Sequence, residues 1–406
     1  MKSFRYVILG GGMVAGYAAK EFAERGLQSG ELAIVSADDA LPYERPPLSK
    51  GYLRGADQES SVFISDAAFY REHGIEVKLR TAVERVDFEN RLLRLPGGGE
   101  WHFEKLLIAT GARVRTLDVP GADLDGLFYL RSLDDSRRIR DRAANARRAV
   151  VIGGGFIGME AASSLAQRGL EVTMIVPEER VWPRLFTAEV STFFERYYEA
   201  RGVRIQRNAA VKGFEGKDRI EGVRTGANGV LLAADLVVAG IGVVPETSLF
   251  EGTGLRLQNG IQVNEYLETG IAGVWAAGDV ANYRDVLFAK ERRVEHWDNA
   301  VSQGQHAARA MAGAREWFAH VPYFFSDVFD LSYEFWGDAA ESNRTVTRGD
   351  VRSGSFSVWW LKDRRLVAAL VLARPDQERE LAQTWIRERK TVSAEALADA
   401  SRPLPE

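Results

Sequence analysis

Two glycine-rich turns carry the first chemical signal in this 406-residue sequence. Both place small residues in the spacing G-x-G-x-x-G/A: Gly10, Gly12 and Ala15 in the first, and Gly153, Gly155 and Gly158 in the second. Each follows a short apolar run, residues 6–9 and 149–152, and each precedes a helical pattern. The second helix is expected from about Glu160 to Arg168. Glycines let the backbone approach a pyrophosphate closely, and the free N–H groups at a helix N-terminus bind its charge. One such turn is also typical of an ordinary structural loop, but two copies in a strand–turn–helix context predict two dinucleotide sites.

An acidic residue follows the next strand of each pattern. In the first copy it is Asp38, with Asp39 as the less favoured neighbour; in the second it is Glu178, twenty residues after Gly158. A carboxylate accepts hydrogen bonds from two free ribose hydroxyls and repels a 2′-phosphate, so Glu178 favours NADH over NADPH. Arg180 weakens this preference, because an arginine two residues further on could attract a phosphate.

The sequence contains no cysteine. It therefore has no disulfide, no zinc–thiolate site, no protein-ligated iron–sulfur cluster and no cysteine nucleophile. Dithiol-relay reductases and peroxidases that use a cysteine sulfenate are excluded for the same reason. The five histidines show no His-x-x-x-His spacing, so we expect no metal site. Any redox chemistry must be carried by a bound cofactor.

Charge and hydropathy exclude two classes of partner. A net charge of −4 and a pI of about 5.9 provide no basic field for a nucleic acid. No apolar run reaches the roughly 18 residues of a membrane-spanning helix. A strand pattern begins almost at Met1, so we expect no leader peptide and a cytoplasmic location. The sequence leaves monomer and homodimer open.

The remaining landmarks predict further strands and a change of fold toward the C-terminus. Three apolar runs end on glycine-containing turns, at residues 106–111, 237–242 and 274–279. Residues 354–373 are read as strands of alternating apolar and polar side chains, with one buried face, and residues 375–399 as a charged helical tail. The part of the chain after residue 321 therefore predicts a smaller α+β domain.

The segment Leu-Pro-Tyr-Glu-Arg-Pro-Pro-Leu-Ser-Lys at residues 41–50 resembles the flavin-contacting segment of the ferredoxin reductase branch of FAD/NAD-linked oxidoreductases. That branch includes putidaredoxin-type reductases, apoptosis-inducing factor and monodehydroascorbate reductase. The resemblance continues through motifs that span essentially the whole chain: residues 109–111, 153–160, 278–279, 293–298 and 322–327. The long motifs are specific to the branch, whereas the glycine turns alone are not.

This resemblance implies an α/β protein of glutathione-reductase-like architecture, with two Rossmann-like nucleotide-binding domains and a C-terminal α+β domain. The FAD domain is expected to be discontinuous, at residues 1–116 and 242–318. An NAD(H) domain at residues 117–241 would lie between its two halves in the chain, and residues 319–406 would form the C-terminal domain that covers the flavin.

The resemblance also implies which residues hold the cofactors. Without a cysteine for a thioether link, FAD is expected to bind non-covalently. Its contacts would come from Gly10, Gly12, Ala15, Asp38, Arg45, Lys50, Ala109, Thr110, Gly111, Asp279, Glu295, His296 and Trp297. The contacts of NADH would come from Gly153, Gly155, Ile157, Gly158, Glu160, Glu178 and Gly242. His296 is as consistent with a structural role as with proton donation.

Three residues are implied in catalysis: Lys50, Glu160 and Phe325. Hydride arriving at flavin N5 places negative charge on the ring, and an ammonium held by a carboxylate partner would stabilise that charge. Lys50 and Glu160 resemble this pair, and the alternative is a surface ion pair of little energetic weight. Phe325 stands where relatives carry an aromatic residue that guards the flavin, and the alternative is a plain core aromatic.

Without cysteine, electrons must pass directly from the flavin to an acceptor. We expect a small iron–sulfur protein, a [2Fe–2S] ferredoxin or a rubredoxin. The alternative is the monodehydroascorbate radical, because residues 181–189 resemble monodehydroascorbate reductase. That group, however, typically has an arginine where Val301 stands and a tyrosine where Phe325 stands, and neither side chain present here can form a hydrogen bond to ascorbate. A third interpretation is a slow flavoprotein, similar to apoptosis-inducing factor, whose NADH-reduced state signals dimerisation or partner binding.

Overall fold

The computed structural model describes residues 1–226 and 229–404, which fold as two compact units. The first unit comprises Met1–Arg45, Glu59–Arg113 and Val243–Pro322. The second unit comprises Pro46–Gln58, Val114–Gly242 and Tyr323–Glu406.

The strands and helices of both units are numbered along the chain. The strands are β1 (Lys2–Leu9), β2 (Leu32–Val35), β3 (Glu76–Lys78), β4 (Arg85–Asp87), β5 (Leu92–Leu95), β6 (Gly99–Ile108), β7 (Ala112–Val114), β8 (Leu127–Tyr129), β9 (Arg148–Ile152), β10 (Glu171–Val176), β11 (Arg204–Arg207), β12 (Val211–Glu215), β13 (Gly222–Thr225), β14 (Val230–Ala233), β15 (Leu236–Ala239), β16 (Val243–Pro245), β17 (Ile261–Val263), β18 (Val274–Ala276), β19 (Ala281–Asp285), β20 (Lys290–Arg292), β21 (Tyr323–Val328), β22 (Leu331–Gly337), β23 (Arg344–Asp350), β24 (Ser355–Lys362) and β25 (Arg365–Leu372). The helices are α1 (Met13–Glu24), α2 (Gly51–Arg54), α3 (Ala67–Glu72), α4 (Leu133–Ala143), α5 (Phe156–Gln167), α6 (Ala188–Glu199), α7 (Trp297–Met311), α8 (Asp376–Arg387) and α9 (Ala394–Ala398).

A mixed sheet forms the centre of the first unit, in the order β3-β2-β1-β6-β5-β4, with β18 also paired to β6. β1, β2, β3, β6 and β18 run parallel, and β4 and β5 extend the sheet in antiparallel fashion. Leu9, the last residue of β1, pairs with Val35 and Ile108. The first glycine turn therefore begins at the carboxyl edge of the sheet, where open α/β sheets bind ligands.

A second, fully parallel sheet lies in the second unit, in the order β11-β10-β9-β15-β8. Ile152, the last residue of β9, pairs with Ile175 and Ala239, so the second glycine turn starts at the equivalent edge. The predicted α/β class with two Rossmann-like sheets is confirmed. One local expectation was wrong: the helical pattern placed the start of α5 near Glu160, but the helix begins at Phe156, directly after the glycine turn.

An antiparallel sheet, β21-β22-β25-β24-β23, is built from the C-terminal part of the chain. The expected alternation of buried and exposed residues is wrong for β24 and β25, where nearly every residue is buried. The reason is that both faces are covered. α8 packs on β25 and β22, and aromatic rings of α6 contact the sheet, with the Phe193 and Phe356 centroids 5.4 Å apart.

The charged tail is two helices and not one. Arg389, with φ +55°, follows α8, and the chain continues without helix until α9. The chain end is held by Arg348 of β23, which is only 3% exposed at its side chain. Its guanidinium donates to Glu378 at 2.9 Å and to the carbonyl oxygens of Leu397 at 3.3 Å, Asp399 at 2.5 Å and Arg402. In the part of the chain that the structure describes, no helix has the length and apolarity to cross a bilayer.

Candidate functional site

The first glycine turn leaves the N-terminus of α1 open for an anion. Gly10 has φ +123°, and a Cβ there would lie 2.2 Å from the carbonyl oxygen of Ala109, so only glycine fits. Gly12 caps α1 without any side-chain hydrogen bond, and a Cβ on it would meet nothing nearer than Arg45 Nη2, at 3.9 Å. Backbone donors and a guanidinium thus border the same space, which is what a pyrophosphate requires. The fully buried Ala15 occupies the third small position.

The second glycine turn repeats this construction. Gly153 has φ +112°, and a Cβ there would lie 2.3 Å from the carbonyl oxygen of Gly240. Gly155 caps α5 without a side-chain bond, and a Cβ on it would contact no atom within 4 Å. A Cβ on Gly158 would lie 2.1 Å from the Gly153 carbonyl oxygen. The third small position of this turn therefore has no room for a side chain, whereas the same position of the first turn accommodates the methyl group of Ala15. Because the empty space at Gly155 is not filled by the protein itself, this turn also fits a pyrophosphate.

Asp38 stands after β2, as expected, but its carboxylate already has protein partners. Oδ1 accepts from the backbone N–H groups of Asp39 and Ala40, at 2.8 and 3.3 Å, and Oδ2 accepts from the Tyr43 hydroxyl at 2.8 Å. A carboxylate has about four acceptor positions, so one remains for a ribose hydroxyl. The sequence did not reveal Tyr43 as the residue that orients Asp38.

Glu178 stands after β10 with an exposed side chain, and its backbone carbonyl accepts from Asn208 N at 3.0 Å. Arg180 is engaged elsewhere. Its Nη1 donates to the Phe186 carbonyl at 2.8 Å and to Ser191 Oγ at 2.9 Å, and its Nη2 donates to the Pro183 carbonyl at 2.9 Å. The guanidinium therefore ties together the loop after β10, while the carboxylate of Glu178 faces solvent.

The turn after β6 is closed by hydrogen bonds to residues after β16. Thr110 Oγ1 donates to the Glu246 carbonyl at 2.8 Å, and Glu246 N donates to the Gly111 carbonyl at 2.9 Å. Ala109 pairs back to β1 through its N–H, which reaches the Leu9 carbonyl at 2.8 Å. The expected Ala-Thr-Gly segment thus lies beside the first glycine turn, at the carboxyl edge of the first sheet.

Asp279, Glu295 and His296 lie close to α7 in the first unit. Asp279 follows β18 with a half-buried side chain, and its carbonyl accepts from Arg293 Nη1 at 3.2 Å. Glu295 forms an ion pair with the same guanidinium. His296 is the N-cap of α7 and makes no side-chain cap bond, so this helix also presents an uncapped N-terminus.

Trp297 is held by a residue that sequence reasoning missed. Its indole Nε1 donates to Glu44 Oε2 at 2.5 Å, and the Tyr17 hydroxyl donates to the other oxygen of Glu44. Burial and this hydrogen bond raise the pKa of Tyr17 well above its ordinary value. Glu44 belongs to the motif at residues 41–50, so its position was visible in the sequence, but its partners were not.

Lys50 and Glu160 form an ion pair in the second unit, with Lys50 Nζ 2.7 Å from Glu160 Oε1. Their side chains are 13% and 5% exposed, so the alternative of a surface pair is wrong. Two hydroxyls also donate to the carboxylate: Ser49 Oγ to Oε2, and Ser326 Oγ to Oε1 at 2.5 Å. A buried carboxylate that accepts from three donors holds its ammonium partner in a fixed place.

Phe325 is half-buried and is not part of the fully buried core. Lys50 Nζ lies 5.8 Å from its ring centroid, and the Tyr323 ring lies at 5.9 Å with an interplanar angle of 25°.

Ile157 and Gly242 complete the residues expected to contact NADH. Ile157 lies in the first turn of α5 and is 39% exposed. The carbonyl of Gly242 accepts from Arg115 N at 3.0 Å. Among the described residues no group of three or more His, Cys, Asp or Glu could hold a metal ion.

Comparison with known proteins gives matches over nearly the whole chain. Residues 4–304 match the pyridine nucleotide-disulphide oxidoreductase family, and residues 323–406 match the reductase C-terminal family. Monodehydroascorbate reductase 4, peroxisomal, from Arabidopsis thaliana is 38% identical over 418 residues, covering 98% of this chain and 85% of that protein. Monodehydroascorbate reductase from Solanum lycopersicum is 36% identical over 409 residues, covering 94% of each.

The solved structures that resemble this chain include ferredoxin reductases. A ferredoxin reductase from Rhodopseudomonas palustris superposes with a TM-score of 0.93 at 32% identity and covers 98% of both chains. A chain of the covalent putidaredoxin reductase–putidaredoxin complex superposes with a TM-score of 0.94 at 30% identity, covering 99% of this chain and 97% of that one.

Proposed function

This chain belongs to the pyridine nucleotide-disulphide oxidoreductase family, and we propose that it is an NADH-dependent reductase that delivers electrons from FAD to an iron–sulfur protein. Its homologues are named reductases, and the family implies FAD and NAD(P)H as cofactors. The chain is therefore an oxidoreductase, and the finer statements concern which coenzyme it uses, which residues serve it and where its electrons go.

The observation that carries the proposal is the pair of glycine-capped helices. α1 and α5 each begin with an uncapped N-terminus at the carboxyl end of parallel strands, and both have room for a phosphate. FAD, when bound, accepts a hydride from the nicotinamide and can release its electrons singly. With no cysteine in the sequence, a dithiol relay does not intervene.

We assign the FAD contacts to the residues implied by the resemblance, from Gly10 to Trp297. In support, Arg45 borders the first glycine turn, and Ala109 packs against Gly10. The assignment follows the proposed division into an FAD domain at residues 1–116 and 242–318, an NAD(H) domain at 117–241 and a C-terminal domain at 319–406.

Lys50, Glu160 and Phe325 are proposed to serve flavin reduction. The ammonium of Lys50 would stabilise the negative charge that accompanies hydride transfer, and Glu160 would hold the ammonium in place. The burial of the pair supports this role, because a buried ion pair costs desolvation free energy and is poor support for stability alone.

NADH is the proposed coenzyme. Glu178 offers a free, exposed carboxylate to the ribose hydroxyls, and the three hydrogen bonds of Arg180 keep that guanidinium away from a 2′-phosphate. The one sequence feature that weakened the preference for NADH is thereby accounted for.

An iron–sulfur protein is the proposed acceptor. The putidaredoxin complex supports this choice, since that relative at 30% identity is joined to a small redox protein. The side chains of Val301 and Phe325 also support it, because neither provides the charge or the hydroxyl that would hold ascorbate.

Monodehydroascorbate is the second candidate. Here the supporting observation is the 38% identity to an Arabidopsis monodehydroascorbate reductase across 98% of this chain. Overall identity reflects the whole fold, whereas the acceptor is selected by a few side chains, and we therefore rank this candidate second.

A panel of acceptors separates the two. Steady-state NADH oxidation is measured with [2Fe–2S] ferredoxins, rubredoxin, monodehydroascorbate, quinone and dioxygen at equal concentrations. The proposal expects kcat/KM to be highest for an iron–sulfur protein. A preference for monodehydroascorbate would establish the second candidate, and reduction of dioxygen or quinone alone would contradict both.

A further inference from the structure

The Glu160 carboxylate joins three separate segments of the second unit. Lys50 and Ser49 come from the segment that precedes α2, Glu160 itself lies on α5, and Ser326 lies on β21. Ser326 is fully buried, with 0% of its surface exposed, and its hydroxyl donates to the oxygen that also receives Lys50 Nζ. Neither serine figured among the site residues expected from the sequence.

The two serine hydroxyls donate to different oxygens of the Glu160 carboxylate. Ser49 donates to Oε2, whereas Ser326 and Lys50 share Oε1. A carboxylate held at both oxygens cannot rotate, so the direction in which it draws the ammonium is fixed. Lys50 is itself the group to be positioned, so without Ser326 only Ser49 would orient the carboxylate. The carboxylate could then turn about its last torsion, which is broad and soft.

Ser326 also ties this pair to the neighbouring aromatic residue. β21 is an edge strand of the antiparallel sheet, where Ser326 pairs with Tyr333 and Phe325 pairs with Glu334. Adjacent strand residues share one backbone, so a hydrogen bond that fixes Ser326 also limits the movement of Phe325. The ring of Phe325 lies 5.8 Å from the same Lys50 Nζ.

A second hydrogen bond joins α5 to the turn that follows β21. Phe329 N, in the turn after β21, donates to Ser163 Oγ of α5 at 2.7 Å. Ser163 is buried like Ser326, and its hydroxyl oxygen accepts from Phe329 N and from Gln167 Nε2, the latter at 3.0 Å. Of these two hydrogen bonds between α5 and the β21 hairpin, one involves the Glu160 carboxylate and the other does not.

We infer that Ser326 is a positioning residue, whose hydroxyl orients the Glu160 carboxylate and thereby fixes the Lys50 ammonium beside Phe325. The inference rests on the proposed role of Lys50 in flavin reduction. A purely structural role would make Ser326 equivalent to Ser163, since both connect α5 to the β21 hairpin.

The test compares Ser326→Ala with Ser163→Ala in the flavin-loaded protein. The midpoint potential of bound FAD, the rate of its reduction by NADH in stopped flow and the melting temperature are measured for both. We expect Ser326→Ala to slow reduction about tenfold, the lower limit for a hydrogen bond to a charged group. A matching tenfold loss in the stabilisation of reduced flavin lowers the potential by about 30 mV. Ser163→Ala is expected to lower the melting temperature comparably and to leave the rate and the potential unchanged.

Two further variants show whether Ser326 acts through the pair. In a Lys50→Ala background, adding Ser326→Ala is expected to cause no further loss of rate, because the group that it positions is gone. Ser326→Thr, which keeps the hydroxyl, is expected to retain the parental potential. If Ser326→Ala does not retain flavin, Ser49→Ala removes the other hydroxyl donor and is expected to lower the rate and the potential in the same direction.

The outcomes separate this inference from the proposed function. Equal rates and potentials for Ser326→Ala and Ser163→Ala, or additive losses in the Lys50→Ala background, would overturn the role of Ser326. An unchanged reduction rate in Lys50→Ala itself would instead overturn the role proposed for Lys50.

Discussion

Replacing Glu178 with serine tests which group selects the coenzyme. The substitution removes the exposed carboxylate after β10 but keeps a small polar side chain. The backbone at this position stays anchored, because the residue 178 carbonyl accepts from Asn208 N at 3.0 Å. Arg180 also stays in place, because its partners, the carbonyls of Phe186 and Pro183 and the hydroxyl of Ser191, are unaffected.

The expected magnitudes differ for the two coenzymes. NADH loses a charged acceptor for its ribose hydroxyls, which corresponds to a decrease in kcat/KM of about tenfold to a hundredfold. NADPH gains only the relief of repulsion between the carboxylate and its 2′-phosphate, about threefold for two unit charges roughly 6 Å apart in water. It gains no attraction, because the guanidinium of Arg180 is occupied. The variant should therefore discriminate less between NADH and NADPH. Its kcat/KM for NADPH should nevertheless stay below the parental kcat/KM for NADH.

The assay measures kcat/KM for NADH and NADPH at constant ionic strength, with an artificial acceptor in excess. Glu179→Ser is the matched control, since Glu179 is adjacent, 75% exposed at its side chain and paired only loosely with Arg180, at 3.4 Å. Unchanged use of NADH by Glu178→Ser would refute the ribose contact. NADPH activity equal to the parental NADH activity would show that Arg180 leaves its partners, and the reasoning from its hydrogen bonds would be wrong.

Three further outcomes are expected. Lys50→Ala should retain FAD but slow its reduction by NADH at least tenfold, measured by stopped flow, with an unchanged rate counting against the lysine. Burial lowers the pKa of His306 to about 4, so between about pH 6.5 and 4 the unfolded chain binds one more proton than the folded chain. The free energy of unfolding therefore falls by about 3 kcal/mol as the pH drops through that window. Thermal melts of His306→Gln should show a smaller acid-induced loss of stability, and a loss equal to that of the parent would contradict this. Arg348→Met should lower the free energy of unfolding by about 3–5 kcal/mol and expose the chain end to proteases, because it leaves the buried Glu378 carboxylate without this partner. Arg344→Met, which removes an exposed ion pair, should do neither. Equal stability and protease resistance of the two variants would count against the stabilising role of Arg348.

Local patterns in the sequence predicted the parts of the fold that depend on neighbouring residues. The glycine spacing predicted both turns, because the positive φ of Gly10 and Gly153 and the uncapped helix after each turn depend on a few consecutive residues. The strand before each turn was likewise visible as an apolar run. The start of α5 was placed too late, because the glycine turn itself caps the helix and no polar cap residue marks the boundary.

Features that depend on distant segments were not predicted. Ser326 and Glu160 are separated by 166 residues, and Trp297 and Glu44 by 253, so no local spacing reveals that they meet. The full burial of β24 and β25 was missed for a related reason. An alternating pattern is expected when one face of a sheet is solvated, but here α6 and α8 cover opposite faces.

The crossing of α1 and α7 has a consequence for how this polypeptide matures on the ribosome. Gly304 of α7 lies so close to α1 that a Cβ would be 2.8 Å from the Val14 carbonyl oxygen, and β18 completes the sheet that β1 begins. β1 and α1 are translated before α7, and the face of α1 that packs on α7 is covered only once residues 297–311 have emerged. Nascent chains of intermediate length therefore display that face of α1 uncovered, and chaperone engagement should be strongest until α7 has left the exit tunnel.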